Sequence, residues 1–296
     1  MLPRTLSKRD QYIRTSIHYL SHAHMKISII TINFNNTEGL QRTILSVRNQ
    51  TCSDYEYIVI DGGSNDGSVD IIKQNTDIIN FWVSEKDKGI YHAMNKGIQK
   101  AQGEYCIFMN AGDTFYNHQV IEQVTQHHMV EDVVCGDLCM GKDIICPNPD
   151  QVTLRSLYKK TIFHQASFIK TTLLKNKPYD ETLRSASDWK WFLHTLIFEN
   201  KTYNHLPIII ARFEGGGFSE KESEVGQNEV IQELQHMLPE RIRQDYEDYC
   251  FGTSPYRKMM NQVESVPKLK KLIYQIDIKV LKLLNIIIKA NWIKEL

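Results

Sequence analysis

The chain has 296 residues in which 35 Lys and Arg balance 35 Asp and Glu, so its net charge is zero and it offers no field that would gather nucleic acid. Its 42% hydrophobic and 24% charged residues are ordinary for a soluble protein, and the length allows one large core or two modest ones. The six cysteines (Cys52, Cys106, Cys135, Cys139, Cys146, Cys250) form no Cys-x-x-Cys pair and several lie in apolar runs, which argues against zinc and for a reducing compartment; no stretch reaches the roughly 18 uninterrupted apolar residues of a membrane span.

Residues 1–24 are polar and basic without an apolar h-region, so they read as a poorly ordered extension and not as a secretory leader, and the folded domain is expected to begin at Met25-Lys26. A buried strand is predicted over 26–32, ending at Asn33-Phe34-Asn35-Asn36. An amphipathic helix follows to about 49, with Leu40, Ile44 and Val47 on one face. The second strand, 55–61, ends on the carboxylate of Asp61. It runs into Gly62-Gly63-Ser64-Asn65-Asp66-Gly67-Ser68, a loop of conformationally permissive and side-chain-bonding residues ahead of a helix over 69–75. A short strand over 81–84 leads to Glu85-Lys86-Asp87-Lys88-Gly89 and a helix over 90–101.

The apolar strand beginning at Tyr105 stops at Asn110-Ala111-Gly112-Asp113, a turn with one carboxylate and one carboxamide. A carboxylate there could approach a hard cation that already holds phosphate oxygens, or could simply cap the next helix, predicted over 119–128. The repeated strand-loop-helix rhythm implies a mostly parallel sheet with right-handed crossovers, and in such a sheet every one of these polar strand ends shares one edge, where ligands sit.

Further on, 132–137 reads as another strand, the rhythm breaks around Cys146-Pro147-Asn148-Pro149, and 163–169 reads as a short strand containing His164-Gln165. A helix is expected near Ser187-Asp188-Trp189, with Trp189, Phe192, Leu193 and Leu196 at helical spacing, then a strand over 206–211 and a run of three glycines ending at Gly217. That run is either a mobile loop able to close over a ligand or a plain turn. From Arg257 on, nine basic residues stand against three acidic ones, and Ile273, Ile276, Val280, Leu283, Leu284, Ile287 and Ile288 oppose a stripe of Lys268, Lys271, Lys282 and Lys289. This basic amphipathic helix reads as lying on anionic lipid with Trp292 at the headgroups, as docked on its own domain, or as a homodimer contact.

Four of these stretches occur in one order and spacing: Ser28-Ile29-Ile30-Thr31-Ile32-Asn33-Phe34-Asn35; Val59-Ile60-Asp61-Gly62-Gly63-Ser64-Asn65-Asp66-Gly67-Ser68; Ser84-Glu85-Lys86-Asp87-Lys88-Gly89-Ile90-Tyr91-His92-Ala93-Met94-Asn95-Lys96-Gly97; and Phe108-Met109-Asn110-Ala111-Gly112-Asp113. Together they resemble glycosyltransferase family 2, and within it the branch similar to colanic-acid and other exopolysaccharide sugar transferases. The resemblance implies a GT-A fold, a Rossmann-like sheet flanked by helices, over 25–255. Residues 25–115 would be the nucleotide-sugar half and 116–255 the acceptor half, with 256–296 as a helical extension. It further implies a nucleotide-diphosphate-sugar donor such as a UDP-sugar, Mg²⁺ or Mn²⁺, inversion at the anomeric carbon, and a saccharide or polyprenol-linked acceptor.

Carried over by position, Thr31, Asn33, Asn35 and Asp61 would hold the base and ribose. Ser64, Asp66, Asp87, Lys88, Asn95 and Asn110 would complete the donor site, and Asp113 would be the metal ligand. Here the sequence departs from the family's acidic motif, since Asn110 and Gly112 stand where carboxylates are common; metal affinity should lean on the donor's own diphosphate. Asp188 matches the catalytic base, a carboxylate in reach of the acceptor hydroxyl, and as a helix-capping residue it would be a weaker base. His164, Gln165, Gly216 and Ser219 are placed near the diphosphate, the acceptor or the late Gly-rich loop. The expectation is a cytoplasmic enzyme peripheral to the inner face of a bacterial membrane. The rival is a non-catalytic nucleotide-sugar-binding protein, kept alive by the reduced acidity around Asp113. A nucleotidyltransferase is disfavoured because no Gly-rich, Arg- and Lys-bearing first loop is present.

Overall fold

The alternation of apolar runs and polar loops resolves, in a computed structural model that describes residues 27–141, 143–215 and 222–251 with isolated positions 259, 263, 272, 275 and 276, into a nine-stranded mixed sheet flanked by helices. The central strand β1 (Ile27–Asn33) is buried along its whole length, which explains why it reads as a continuous apolar run instead of an alternating one. It pairs in parallel with β2 (Tyr55–Asp61) on one side and β4 (Tyr105–Phe108) on the other, and β2 pairs in parallel with β3 (Phe81–Ser84). Three helices make the crossovers: α1 (Thr37–Arg48), α2 (Ser68–Gln74) and α3 (Ile90–Lys100). The register sets Asn33 beside Asp61 and Asp61 beside Ser84, so the predicted row of polar strand ends exists.

Beyond β4 the sheet ceases to be parallel. After β5 (Thr114–Phe115), α4 (Val120–Gln126), β6 (Val133–Met140), β7 (Ile144–Cys146) and α5 (Leu154–Lys159), the strand β8 (Ser167–Lys170) inserts antiparallel to both β4 and β6. The order is β3-β2-β1-β4-β8-β6-β9-β5, with β9 (Tyr203–Phe213) parallel to β6 and β7 pairing β6. The expectation of a mostly parallel sheet therefore holds for the first four strands and gives way to mixed pairing in the second half. Between β6 and β9 the register shifts around Gly136, where an added Cβ would lie 2.4 Å from the Ile208 carbonyl oxygen; only a glycine lets the two strands approach there.

The predicted strand over 163–169 is a second correction. His164–Ala166 forms one 3-10 turn, because the Phe163 carbonyl accepts from both the Ala166 N–H (3.1 Å) and the Ser167 hydroxyl (2.6 Å), and β8 starts only at Ser167. After α6 (Thr171–Asn176), the helix α7 (Ser187–Phe192) opens at Ser187 and continues as a π-helical turn, Leu193–Phe198. Two helices follow β9: α8 (Ser223–Met237) and α9 (Glu240–Phe251). The described residues fall into two compact units divided between Glu233 and Leu234. Among them no helix is long and apolar enough to cross a membrane. Residues 1–24, Gly216 and Ser219 lie outside the described residues, as does nearly all of the stretch 256–296.

Candidate functional site

At the ends of β1 and β2, the carboxylate of Asp61 is the hub. Its Oδ1 accepts from Asn33 Nδ2 (2.8 Å) and Ser64 Oγ (2.6 Å), and its Oδ2 from Ser84 Oγ (2.5 Å) and the N–H groups of Ser64 (2.9 Å) and Gly63 (3.2 Å). Gly63 has φ 81°, a left-handed turn that aims both N–H groups back at the carboxylate and that a side chain would strain. Burial works against the Asp61 charge, yet the hydroxyls of Ser64 and Ser84, the Ser64 N–H and the Asn33 amide together hold its pKa below the ordinary value.

Around this hub several predicted donor residues serve as ties. Thr31 is buried beneath the edge, donating to the Met109 carbonyl (2.7 Å) and pairing with the Tyr57 hydroxyl (3.0 Å). Asn35 accepts from the Asn65 N–H (2.9 Å), and Asp66 accepts from the Thr37 N–H (2.9 Å) and the Ser68 hydroxyl (2.6 Å), bracing the starts of α1 and α2 together. The amide of Asn95 is engaged with the Tyr179 backbone on both sides, at 2.9 Å each, and with Glu181 (2.9 Å), so it joins α3 to the segment ahead of α7. Lys88 is exposed.

Beside this frame stand Phe34, 66% exposed, and Asp87, whose side chain is largely covered. Asp87 Oδ1 accepts from His92 Nδ1 (2.8 Å) and Lys96 Nζ (2.7 Å), while its buried Oδ2 has no partner. An added Cβ on Gly62 would stand 3.2 Å from the Phe34 ring and 3.4 Å from that Oδ2, so the three define a shallow cradle floored by backbone. Asn33 Oδ1 is likewise buried without a partner. Phe34 is absent from the residues singled out on sequence; the signal that could have found it is a large aromatic inside an otherwise polar strand-end loop.

One strand over, the turn after β4 is anchored by α1. The Thr43 hydroxyl accepts from the Gly112 N–H (3.0 Å) and donates to the Asp113 carbonyl (2.7 Å), and the Asn36 amide donates to the Ala111 carbonyl (3.0 Å). The Asp113 carboxyl is buried, and burial pushes its pKa up to about 7, only partly offset by the nearby His164 and a backbone hydrogen bond from Asn110. From Asn110 a chain of contacts runs across the edge. Asn110 Nδ2 meets His164 Nε2 at 3.3 Å, His164 Nδ1 meets Asp188 Oδ2 at 3.1 Å, and the Tyr91 hydroxyl donates to Asp188 Oδ1 at 2.9 Å. In a neutral ring, Nδ1–H facing Asp188 leaves Nε2 to accept from Asn110. Burial opposes the Asp188 charge, but His164, Tyr91 and the Trp189 N–H keep its pKa below the usual value. The 3-10 turn that broke the predicted strand is what aims His164 between the two; Gln165 beside it is half-buried.

Asp113 and Asn110 are the residues that could hold a cation. A carboxyl without a charged partner and, three residues earlier, a buried amide oxygen with no hydrogen bond fit a hard divalent ion whose remaining positions are filled by a ligand's own oxygens. Among the described residues no group of three or more His, Cys, Asp or Glu could hold a metal unaided.

The sequence model of Glycosyl transferase family 2 matches residues 28–192. An uncharacterized glycosyltransferase of Mycobacterium tuberculosis is 35% identical over 181 residues, covering 58% of this chain and 69% of that one. The PGL/p-HBAD biosynthesis glycosyltransferase of the same species is 29% identical over 200 residues, covering 65% and 78%. Among solved structures, S. aureus TarS superposes with a TM-score of 0.57 at 20% identity. That alignment covers 77% of this chain but only 44% of the longer TarS chain, and 75% and 70% against TarS 1-349 in complex with UDP-GlcNAc. The structural likeness establishes the GT-A fold.

Proposed function

The chain belongs to glycosyl transferase family 2, and on that footing we propose that it is an inverting glycosyltransferase moving a sugar from a nucleoside-diphosphate sugar to a glycan or lipid-linked saccharide acceptor. The observation that carries the proposal is the continuous Asn110–His164–Asp188–Tyr91 contact chain, which brings the strand-end turn of the donor half and the expected base into one neighbourhood. The nucleoside lies on the cradle of Phe34, Gly62 and Asp87 beside Asp61, where unpartnered acceptor oxygens await ring N–H or ribose hydroxyl donors. The diphosphate then lies toward Asn110 and Asp113, where Mg²⁺ or Mn²⁺, when bound, would neutralise charge developing on the leaving group.

Asp188 takes the acceptor's hydroxyl proton as the acceptor oxygen bonds to the anomeric carbon. The bond to the diphosphate oxygen breaks with its electron pair on that oxygen, and attack from the opposite face inverts the configuration. Hydrogen bonds from His164, Tyr91 and the Trp189 N–H stabilise the carboxylate form and make Asp188 a weak base, so most of the proton transfer belongs late in the reaction, when the attacking oxygen has become acidic. His164 orients the carboxylate from one side and Tyr91 from the other. The finer placement, surface-polysaccharide assembly in the branch similar to colanic-acid transferases with the basic stretch 256–296 meeting the inner face of the membrane, rests on the motif resemblance and the charge pattern.

The test is a thermal-shift panel of UDP-, GDP- and dTDP-sugars with and without Mn²⁺, since a ligand selective for the native state raises its melting temperature. A stabilising donor whose effect grows with Mn²⁺, together with transfer lost in Asp188→Asn, supports the reading. Absence of any stabilisation across the panel refutes it.

A further inference from the structure

The helix that carries Asp188 begins without a cap of its own. Its N-cap is Ala186, which makes no side-chain hydrogen bond, and Asp188 is the acid of its first turn. An acid so placed is ordinarily drawn to the exposed N–H groups of its own helix. Asp188 accepts from the Trp189 N–H of its own helix, but each of its oxygens also meets a remote side chain, Tyr91 or His164, and the segment before it is fixed from elsewhere.

That fixing comes from the α8 region. Glu229 Oε1 accepts from the Arg184 N–H (2.6 Å), and Oε2 accepts from the N–H groups of Ser185 (2.9 Å) and Ala186 (3.0 Å). Charge-assisted bonds to three successive peptide groups fix the backbone path more firmly than one side-chain contact can. Glu222 Oε1, in the turn before α8, accepts from the Arg184 guanidinium (3.0 Å). Glu233 Oε2 meets Lys190 Nζ (2.9 Å), which also holds Asp180 Oδ2 (2.8 Å). Glu222, Gly226, Glu229 and Glu233 recur at spacings of four, three and four, one face of a helix. Gly226 stands where the two elements touch: an added Cβ would lie 3.0 Å from Ser185 Oγ and 3.2 Å from Ser185 Cβ. Three acids and a glycine on one face thus grip residues 180–190 around the base.

We propose that Glu229 is a positioning residue for sugar transfer, holding residues 184–186 so that the Asp188 carboxylate stays directed at His164 and Tyr91 and meets the acceptor hydroxyl. The proposal rests on the reading of Asp188 as the proton acceptor. Glu229 touches none of the donor-side residues, so its loss acts on the transfer step and leaves donor binding alone.

The experiment uses the full chain, with nucleoside diphosphate release from UDP-, GDP- and dTDP-sugars measured with water as acceptor, donor affinity by calorimetry, and amide hydrogen exchange over 184–186. In Glu229→Ala, kcat is expected to fall roughly 10- to 100-fold, the loss that about 1 Å of misplacement produces, while the donor Kd stays within about twofold and the three amides exchange faster. Glu229→Gln, which keeps one acceptor oxygen, should lie between. Gly226→Ala, which pushes the helix back while retaining the carboxylate, should reproduce the defect in milder form; it serves where Glu229→Ala folds poorly. Glu224→Ala, an exposed acid of the same helix, is the control. Faster exchange at 184–186 with unchanged kcat overturns the proposal, as does a donor Kd that weakens in step with kcat. Asp188→Asn run in parallel separates the two readings: full transfer by that variant overturns the assignment of the base and this proposal with it, whereas loss there with full activity in Glu229→Ala overturns only the latch.

Discussion

Gly62→Ala tests the donor cradle most directly, because it adds one methyl group at a known place. Gly62 does not have a positive φ, so alanine meets no left-handed backbone strain there, and the loss of unfolded-state freedom favours the variant by about 0.4–1 kcal/mol. The new Cβ meets the Phe34 ring at 3.2 Å and Asp87 Oδ2 at 3.4 Å. Phe34 is 66% exposed and free to swing outward, so the strain is small and the net stability change should be close to zero, a melting temperature within about 3 °C of the parent. The methyl group nevertheless occupies the floor on which a nucleoside would rest and displaces the aromatic that would face it. A single methylene's worth of misfit in a fitted pocket amounts to about 1–3 kcal/mol, a 10- to 200-fold loss of affinity. Titration calorimetry of UDP, GDP and dTDP against both proteins reads this directly. Parent-like affinity in a variant with parent-like melting would refute the cradle as the nucleoside site.

The core glycine of α3 behaves oppositely. A Cβ on Gly97 would lie 2.5 Å from Ile30 Cγ2, in a layer where Ile30 and Ile60 are fully buried, so Gly97→Ala should cost about 1–3 kcal/mol by overpacking, read by urea denaturation. Asp188→Asn should lower kcat by about 10²–10⁴ and leave the donor Kd nearly unchanged, since the amide keeps the shape but cannot take the proton. Asp180 supplies a pH test. Burial alone would raise its pKa, but the Lys190 ammonium and the Thr182 hydroxyl and N–H hold it at about 2. Its folded value lies below the unfolded 3.8, so the stabilisation is complete above about pH 5 and is lost as pH falls through about 2. Discounted for solvent screening at a side chain 31% exposed, Asp180→Asn should cost about 1 kcal/mol at pH 7 and only a small fraction of that at pH 2, measured by denaturant midpoints at the two pH values.

The parts of this molecule that could be read from its sequence are those whose causes lie within a dozen residues. β1, β2 and β4 announce themselves as apolar runs, and the loops after them as clusters of Gly, Asn, Asp and Ser, because burial on both faces and tight turns leave a local mark. What could not be read is whatever depends on a distant partner. Nothing near Val133 says that β6 will take β8 antiparallel on one side and β9 parallel on the other, and the short elements β5, β7, α5 and α6 hold too few residues for a period to emerge. Asp66 and Asn95 sit inside donor-like motifs, yet their side chains are committed to bracing loops 29 and 84 residues away in sequence.

The clearest case is Asp188. Within its own window it competes between two roles, capping acid and catalytic base, and a carboxylate that satisfies its own helix is a poor candidate for the second. The proposed second role gains its support only when three remote elements are added: Tyr91 from 97 residues upstream, His164 from a 3-10 turn that reads as strand, and the Glu229 carboxylate holding the backbone just ahead of α7. Each takes a separate burden from Asp188, one oxygen, the other oxygen and the path of the chain. The support for the catalytic role proposed for a carboxylate at a helix start therefore lies not in the residue or its neighbours but in the contacts that other parts of the fold make to it and to the chain just ahead of it.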